Sequence, residues 1–236
     1  VAFPFFNGPE LIYDFRGDVI AESRNSGTRG LRLWVLQLLT HLAIRSASKH
    51  LSVSDAGASK LMRTYGIRSV TVIPSSTDVS IFENAAKSRT ETRRKLGFDD
   101  DDVVCVYSGG FAQHQMIPEM LAIWTELDQI GVKFLLLTRN QPGSNVQQSR
   151  LESLFPAGTT MLSLEPGDVP AYLTASDIGF LLRQPGPLNT VASPVKFAEY
   201  LAAGLAVVTS PGLDDASIQV NDNDLGVVMS PTPSAD

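Results

Sequence analysis

The sequence predicts an α/β protein made of two Rossmann-like, doubly wound units. Three observations carry that prediction. Between residues 103 and 229, short apolar runs alternate with helix-patterned segments at the spacing of strand–helix–strand repeats. Most of these runs are continuous, as in parallel strands covered on both faces. Residues 1–82 hold a shorter helix–strand–helix–strand series, set off by the polar, charged stretch 83–95.

In the first unit, residues 30–46 read as a long helix. Its apolar run, Leu31 to Ile44, is broken by Arg32, Gln37 and His41. That is too short and too polar for a bilayer span of about 20 apolar residues, so a buried helix is expected. A strand follows at 51–53. Ser54 is placed to cap a helix over 55–65, which Gly66 closes. The strand 70–73 stops at Pro74, which cannot donate to a ladder. In the second unit, strands are expected at 103–107, 132–137, 160–164, 178–182, 206–209 and 226–229. Helices are expected at 118–130, 145–154 and 195–203, with a short turn near 170–175. Met120, Ile123, Trp124, Leu127 and Ile130 mark one apolar face of the first of these.

Composition limits the partners. The chain has 236 residues, 43% of them hydrophobic, enough for a large core. The net charge of −6 argues against a nucleic-acid binder, which needs a basic surface. The charge is uneven: residues 1–75 hold nine Lys/Arg against five Asp/Glu, and the remainder ten against twenty. Cys105 is the single cysteine, inside an apolar run, so no disulfide framework exists and a reducing, cytoplasmic setting is expected. The chain opens on Val1 and closes on Asp236 without a final helix, and is expected to be the interior of a longer protein.

Ligands of such sheets bind at the carboxyl ends of the strands. Four loops lie there. Gly109 and Gly110 follow the first strand; they suit close backbone approach to a phosphate, or simply a tight turn. No Gly-x-Gly-x-x-Gly or Walker lysine accompanies them. Thr138, Arg139 and Asn140 follow the second strand. The loop after Leu164 offers backbone groups suited to a base edge. The fourth loop carries most of the chemistry. Ser193 reads as an N-cap, Pro194 as the first helical residue and Gly204 as the closing residue, which defines an anion-binding helix start. Lys196 in the first turn opposes the helix dipole, a cost a bound phosphate would reverse; pairing with Glu199 is the alternative. Glu199 can accept hydrogen bonds from a ribose, or lie in solvent. Arg183, ending a strand, can reach a diphosphate bidentately or remain a solvated loop residue. The three histidines show no metal-ligand spacing, and no metal is expected.

Ser193-Pro-Val-Lys-Phe-Ala-Glu199-Tyr-Leu-Ala-Ala-Gly204-Leu-Ala-Val-Val resembles the "SPxK…EYxAxGxPVV" signature of retaining GT-B glycosyltransferases. The group is the one that builds bacterial capsule, O-antigen and exopolysaccharide chains. Supporting similarities run along the chain. Asp168-Val-Pro-Ala-Tyr-Leu-Thr-Ala-Ser-Asp177-Ile is similar to "vpxYlxxaDi". Val53-Ser54, then Val72-Ile-Pro74-Ser-Ser-Thr-Asp78 with Phe82, resembles "vS…viPNGvDxxxF". Arg93-Arg-Lys-Leu-Gly97 is similar to the start of the donor domain, and Asp14-Phe-Arg-Gly17-Asp18 with Glu22 to a "DxRG…E" stretch of the acceptor domain.

The resemblance implies a GT-B architecture. Residues 1–82 would be the C-terminal part of an incomplete acceptor domain, and 83–236 the nucleotide-sugar domain without its final helices. It implies that Glu199, the second Glu of a Glu-x7-Glu motif, holds the ribose. Ala192, Ser193, Pro194 and Val195 would meet the diphosphate through their backbone, and Gly109 and Gly110 would border it. Three departures stand out: the first Glu of the motif is Val191, the clamp positions are Gly110 and Gln115 rather than basic residues, and the "PNG" turn reads Pro74-Ser75-Ser76. Arg183 and Lys196 are expected to take over stabilisation of the leaving diphosphate. The implied reaction moves a sugar from a nucleotide-diphosphate donor, without metal or cofactor, to a saccharide or lipid-linked acceptor, with retention. The basic N-terminal part, with Arg24, Arg29, Arg32, Arg45 and Lys49, either meets an anionic membrane peripherally or is a basic face with no partner. The alternatives are a GT-B nucleotide-sugar 2-epimerase and a non-catalytic nucleotide-binding module.

Overall fold

The computed structural model describes residues 10–138 and 153–229. The chain divides into two compact units. The first runs through Ser75 and takes in Pro185–Ser193 and Gly212–Asp215; the second comprises the described residues of Ser76–Gln184, Pro194–Pro211 and Ala216 onward. The second unit thus begins at Ser76 rather than at residue 83.

The first unit has a parallel three-stranded sheet in the order β1 (Ile12–Phe15), β2 (Lys49–Ser52), β3 (Thr71–Val72). Helices α1 (Val19–Asn25) and α2 (Gly30–Ser46) connect β1 to β2, and α3 (Asp55–Tyr65) connects β2 to β3. Local chemistry sets the ends of α3. Ser54 Oγ accepts the Gly57 N–H at 2.9 Å, and Gly66 takes φ +69° to close the helix, both as the sequence predicts. Asp215 adds a second acceptor for the free N–H of Asp55, at 2.7 Å. A small core of Phe15, Ile44, Leu61 and Val191 lies beneath.

Helix α2 spans the expected residues but is not the buried helix the sequence suggested. Only Thr40 and Ile44 are buried. Leu31 is 75% and Trp34 58% exposed, and Val35, Leu38, Leu39 and Leu42 are open as well. Apolar residues surround this helix, while α1 and α3 cover one side of it. Hydropathy alone does not say which side.

The second unit is a six-stranded parallel sheet in the order β6-β5-β4-β7-β8-β9. The strands are β4 (Val104–Ser108), β5 (Lys133–Thr138), β6 (Thr160–Ser163), β7 (Ile178–Leu181), β8 (Ala206–Thr209) and β9 (Gly226–Val228). Each falls within one or two residues of its predicted range. The order has the Rossmann reversal, with the switch between β4 and β7. Four consecutive β4 residues, Val104 to Tyr107, are buried, so both faces of the sheet are covered. Helices α4 (Val79–Ala86) and α5 (Arg89–Leu96) precede β4. Along the chain α6 (Ile117–Asp128), α7 (Val169–Leu173), α8 (Pro187–Thr190), α9 (Val195–Ala202) and α10 (Asp214–Asp222) follow, with α8 belonging to the first unit.

Trp124 of α6 is the largest buried side chain among the described residues. It stacks on Phe134 at 4.7 Å and meets Phe155 and Phe180 edge-on at 5.6 and 5.7 Å. The buried face of α6 is Ile117, Met120, Leu121 and Trp124. Ile130, expected on that face, lies past the helix end and is exposed, because the helix stops at Asp128. The expected helix at 145–154 falls mainly outside the described residues, as do Arg139 and Asn140; Ser153 and Leu154 form a turn.

Candidate functional site

A cavity of about 550 Å³ opens at the carboxyl ends of β4, β5 and β6, beside the first turn of α9. Ser108, Gly109 and Gly110 form one wall. Leu137, Thr138, Leu164, Pro166 and Val169 form another, and Val195, Lys196 and Glu199 face them from α9. Five of the sequence-predicted site residues besides the two glycines bear on this region: Leu164, Val195, Lys196 and Glu199 line it, and Pro194 caps α9.

The glycines serve a steric purpose. A Cβ at Gly109 would collide with the Lys196 ammonium and lie 2.8 Å from Tyr107 Oη. Neither Gly109 nor Gly110 has a positive φ, so the expected conformational reason for a glycine pair does not apply. Space for the lysine head is the reason at Gly109. Gly110 fixes the wall through its carbonyl, which accepts from Tyr107 Oη at 2.6 Å.

Lys196 is enclosed. Its ammonium lies 5.6 Å from the Tyr107 ring centroid, and no ion pair joins it to Glu199 among the described residues. Burial, then the nearby Arg183 cation, lowers its pKa from 10.5 to about 8, against the pull of Glu199. Glu199 is half-buried, and burial pushes its carboxyl up while Lys196 opposes the change.

Arg183 is neither solvated nor in the cavity lining. It is 7% exposed. Its guanidinium donates to Gln115 Oε1 and to the Leu182 carbonyl at 2.9 Å, and its backbone N–H donates to Ser210 Oγ at 2.7 Å. Gln115 Oε1 also lies 3.0 Å from Tyr107 Oη. Arg183, Gln115 and Tyr107 thus form a buried polar brace behind the wall on which Lys196 rests. Burial lowers the Arg183 pKa too.

Ser193 differs from its expected role. It does not cap α9; Pro194 occupies the cap position and no side chain bonds there. The Ser193 hydroxyl instead accepts the Ser75 N–H at 3.1 Å, and both Ala192 and Ser193 group with the first unit. Gly204 does close the helix, at φ +77°. The uncapped N–H groups at the start of α9 therefore stay available to an anion.

Sequence reasoning misses Tyr107 and Tyr200. Tyr200 is buried, accepts the Ser108 N–H at 3.0 Å and lies 3.3 Å from the Phe180 carbonyl. It joins α9 to the last residue of β4. Gly179 makes room for it, since a Cβ there would stand 2.5 Å from the ring. Its place two turns into an amphipathic helix is the available signal, but that reads equally as core.

No family model matches the chain, and no curated protein does. Solved structures do. Sucrose-phosphate synthase from Thermosynechococcus elongatus superposes with a TM-score of 0.69 at 17% identity, covering 94% of this chain and 55% of that one. WaaG, a glycosyltransferase involved in lipopolysaccharide biosynthesis, gives 0.65 at 14% identity, covering 93% and 61%. HepE of Anabaena, in complex with UDP and glucose, gives 0.60 at 17%, covering 85% and 53%. The chain spans a little over half the length of these structures, and its two parallel α/β units have the GT-B fold of glycosyltransferases.

Proposed function

We propose that this chain carries the donor site of a retaining, nucleotide-sugar-dependent glycosyltransferase. It would move a hexosyl group to a saccharide or lipid-linked acceptor during synthesis of a cell-surface polysaccharide at the cytoplasmic face of the membrane. The observation that supports this reading best is a buried cation, Arg183, near a partly buried one, Lys196, beside the free N–H groups of α9, with few carboxylates to balance them. Burying like charges together is costly unless a polyanion joins them. A diphosphate is such a group, and Glu199, one turn along the same cavity wall, suits the ribose hydroxyls beside it.

The roles follow. Lys196 and the α9 N-terminus would stabilise the departing diphosphate, and Arg183 would add its field through the Gln115 brace. The backbone of Pro194 and Val195 and that of Gly109 would border the phosphates, and the segment after Leu164 would face the base. The test is calorimetric titration with UDP, GDP, ADP and CMP. One nucleoside diphosphate is expected to bind, and Glu199→Ala to weaken it about ten-fold or more. Unchanged affinity in that variant would remove Glu199 from the site. A folded sample that binds none of the four overturns the donor-site reading.

The non-catalytic alternative draws support from Val191. Where the resemblance expects an acid, a buried apolar side chain stands. Nucleotide binding without sugar transfer by a protein containing this chain would favour it. The membrane part of the proposal is tested separately. Arg29, Arg32 and Arg45 flank the exposed apolar face of α2, and no helix among the described residues is long and apolar enough to cross a bilayer. Sedimentation with anionic vesicles, reduced by salt and by Trp34→Ser, is expected; absence of sedimentation at low salt ends the membrane idea.

A further inference from the structure

We propose that a second cavity, inside the first unit, binds an anionic saccharide, its negative group held by Arg24 and Lys60. Its assignment as an acceptor pocket rests on the glycosyl-transfer reading; the ligand chemistry comes from the cavity itself. The cavity has a volume of about 530 Å³ and lies among α1, α2, α3 and the start of α8. That is within the range of small-molecule sites.

The charge balance of its walls is positive. Asp18 is the one carboxylate in the lining, and it is already used. Its Oδ1 accepts the N–H groups of Ile20 and Ala21 at 3.1 and 3.0 Å, capping α1, and its Oδ2 pairs with Lys60. Lys60 remains partly open and has three donors, of which Asp18 takes one. Arg24 makes no ion pair among the described residues. Its guanidinium offers a fork suited to a phosphate or a carboxylate.

The rest of the lining suits a sugar ring. Asn25 and Gln37 each present a donor and an acceptor, which is what vicinal hydroxyls require. Tyr65 and His41, with ring centroids 5.8 Å apart and planes inclined at 46°, supply an angled aromatic wall, either ring of which can meet the C–H face of a pyranose. A neighbouring cavity of about 380 Å³ shares Lys60, Thr64 and Pro187 and adds Arg63 and Asp214. The groove therefore continues along α3, with room for a second sugar residue. A bare inorganic anion would leave the amides and the aromatic wall unused. A neutral sugar would leave the exposed Arg24 donors to water.

The test uses the whole chain and four probes: glucose, glucose 6-phosphate, glucuronate and inorganic phosphate. Binding is followed by amide chemical-shift changes, in the wild type and in Arg24→Gln and Gln37→Ala. Both substituted residues lie on helix surfaces, and the spectra report folding directly. At least one anionic sugar is expected to bind about ten-fold more tightly than glucose, and Arg24→Gln to abolish that preference. Whether glucose 6-phosphate or glucuronate binds tells phosphate from carboxylate. Gln37→Ala is expected to weaken the sugar probes and leave inorganic phosphate alone. Glucose binding as tightly as both anionic sugars overturns the proposal. So does inorganic phosphate binding as tightly as glucose 6-phosphate, which would mean an adventitious ion only, and so does absence of any spectral change at millimolar probe. A parallel UDP titration keeps the two readings apart. Sugar-acid binding without nucleotide binding removes the donor site and leaves this pocket; the reverse removes this pocket alone.

Discussion

Lys196→Met is expected to weaken nucleoside-diphosphate binding by about ten- to a hundred-fold while making the ligand-free protein more stable. Both effects come from one enclosed ammonium. The folded chain holds Lys196 with a pKa of about 8, against 10.5 in its ordinary state. Below pH 8 the group is charged in the folded and the unfolded chain alike, and folding bears the full desolvation cost. Between about 8 and 10.5 the unfolded chain retains a proton that the folded one has released, so this cost is relieved as pH rises through that window. Methionine keeps the apolar stem and removes the charge. At pH 7 the gain is on the order of 1–3 kcal/mol, since a tenfold change in proton affinity is worth about 1.4 kcal/mol and partial exposure reduces the total. Urea denaturation measures it. The same titration acts on binding with the opposite sign. A diphosphate favours the protonated form, so affinity of the wild type is expected to be full below pH 8 and to fall above it, whereas the methionine variant shows no such fall. A variant that binds as the wild type does, or that is less stable at pH 7, contradicts this account.

Arg93→Ala is expected to have the largest effect on stability, a loss of about 3–5 kcal/mol. The Arg93 side chain is 1% exposed and works as a hub of donors. It reaches the Ala175 carbonyl at 2.9 Å, the Asp99 carbonyl at 2.7 Å, the Asp102 carbonyl, and Asp177 at 3.3 Å. Asp177 in turn accepts the Val104 N–H at 2.8 Å and pairs with Arg89 at 2.6 Å. One guanidinium thus joins α5, the turn before β4 and the start of β7. Removing it leaves buried carbonyls with no donor, which is where the cost arises. Arg93→Lys is expected to recover only part, because an ammonium cannot match the planar fork. A change in the denaturation midpoint worth less than about 1 kcal/mol would show that the hub is dispensable.

The contrast between Arg93 and its neighbours shows what a sequence hides. Residues 83–95 read as a charged linker, yet they contain most of α5 and the second half of α4. Hydropathy scores an arginine as solvated; it does not see three carbonyls and a carboxylate converging on it. The strands are legible because continuous apolar runs have few other homes in an α/β chain. The helix ends at Gly66 and Gly204 are legible because each residue takes a left-handed φ. Ser193 misleads because its hydroxyl is claimed by the distant Ser75 N–H, a contact that no local pattern encodes. Lys196 and Glu199 can be named from their place in a helix start, but the brace of Arg183, Gln115 and Tyr107 joins three separate elements and needs the fold. The outward face of α2 is invisible for a related reason: apolar side chains say that cover is wanted, not that it is present.

Val191 limits what its position can hold. It is 2% exposed, packs with Phe15, Ile44 and Leu61, and its carbonyl receives the Ser54 hydroxyl at 2.7 Å. A glutamate introduced at that position would place an unpaired carboxylate in an apolar core, at a cost of several kcal/mol. Position 191 is therefore closed to acids by single substitution: an acid could enter only together with changes around Phe15 and Leu61 that give its carboxylate a partner.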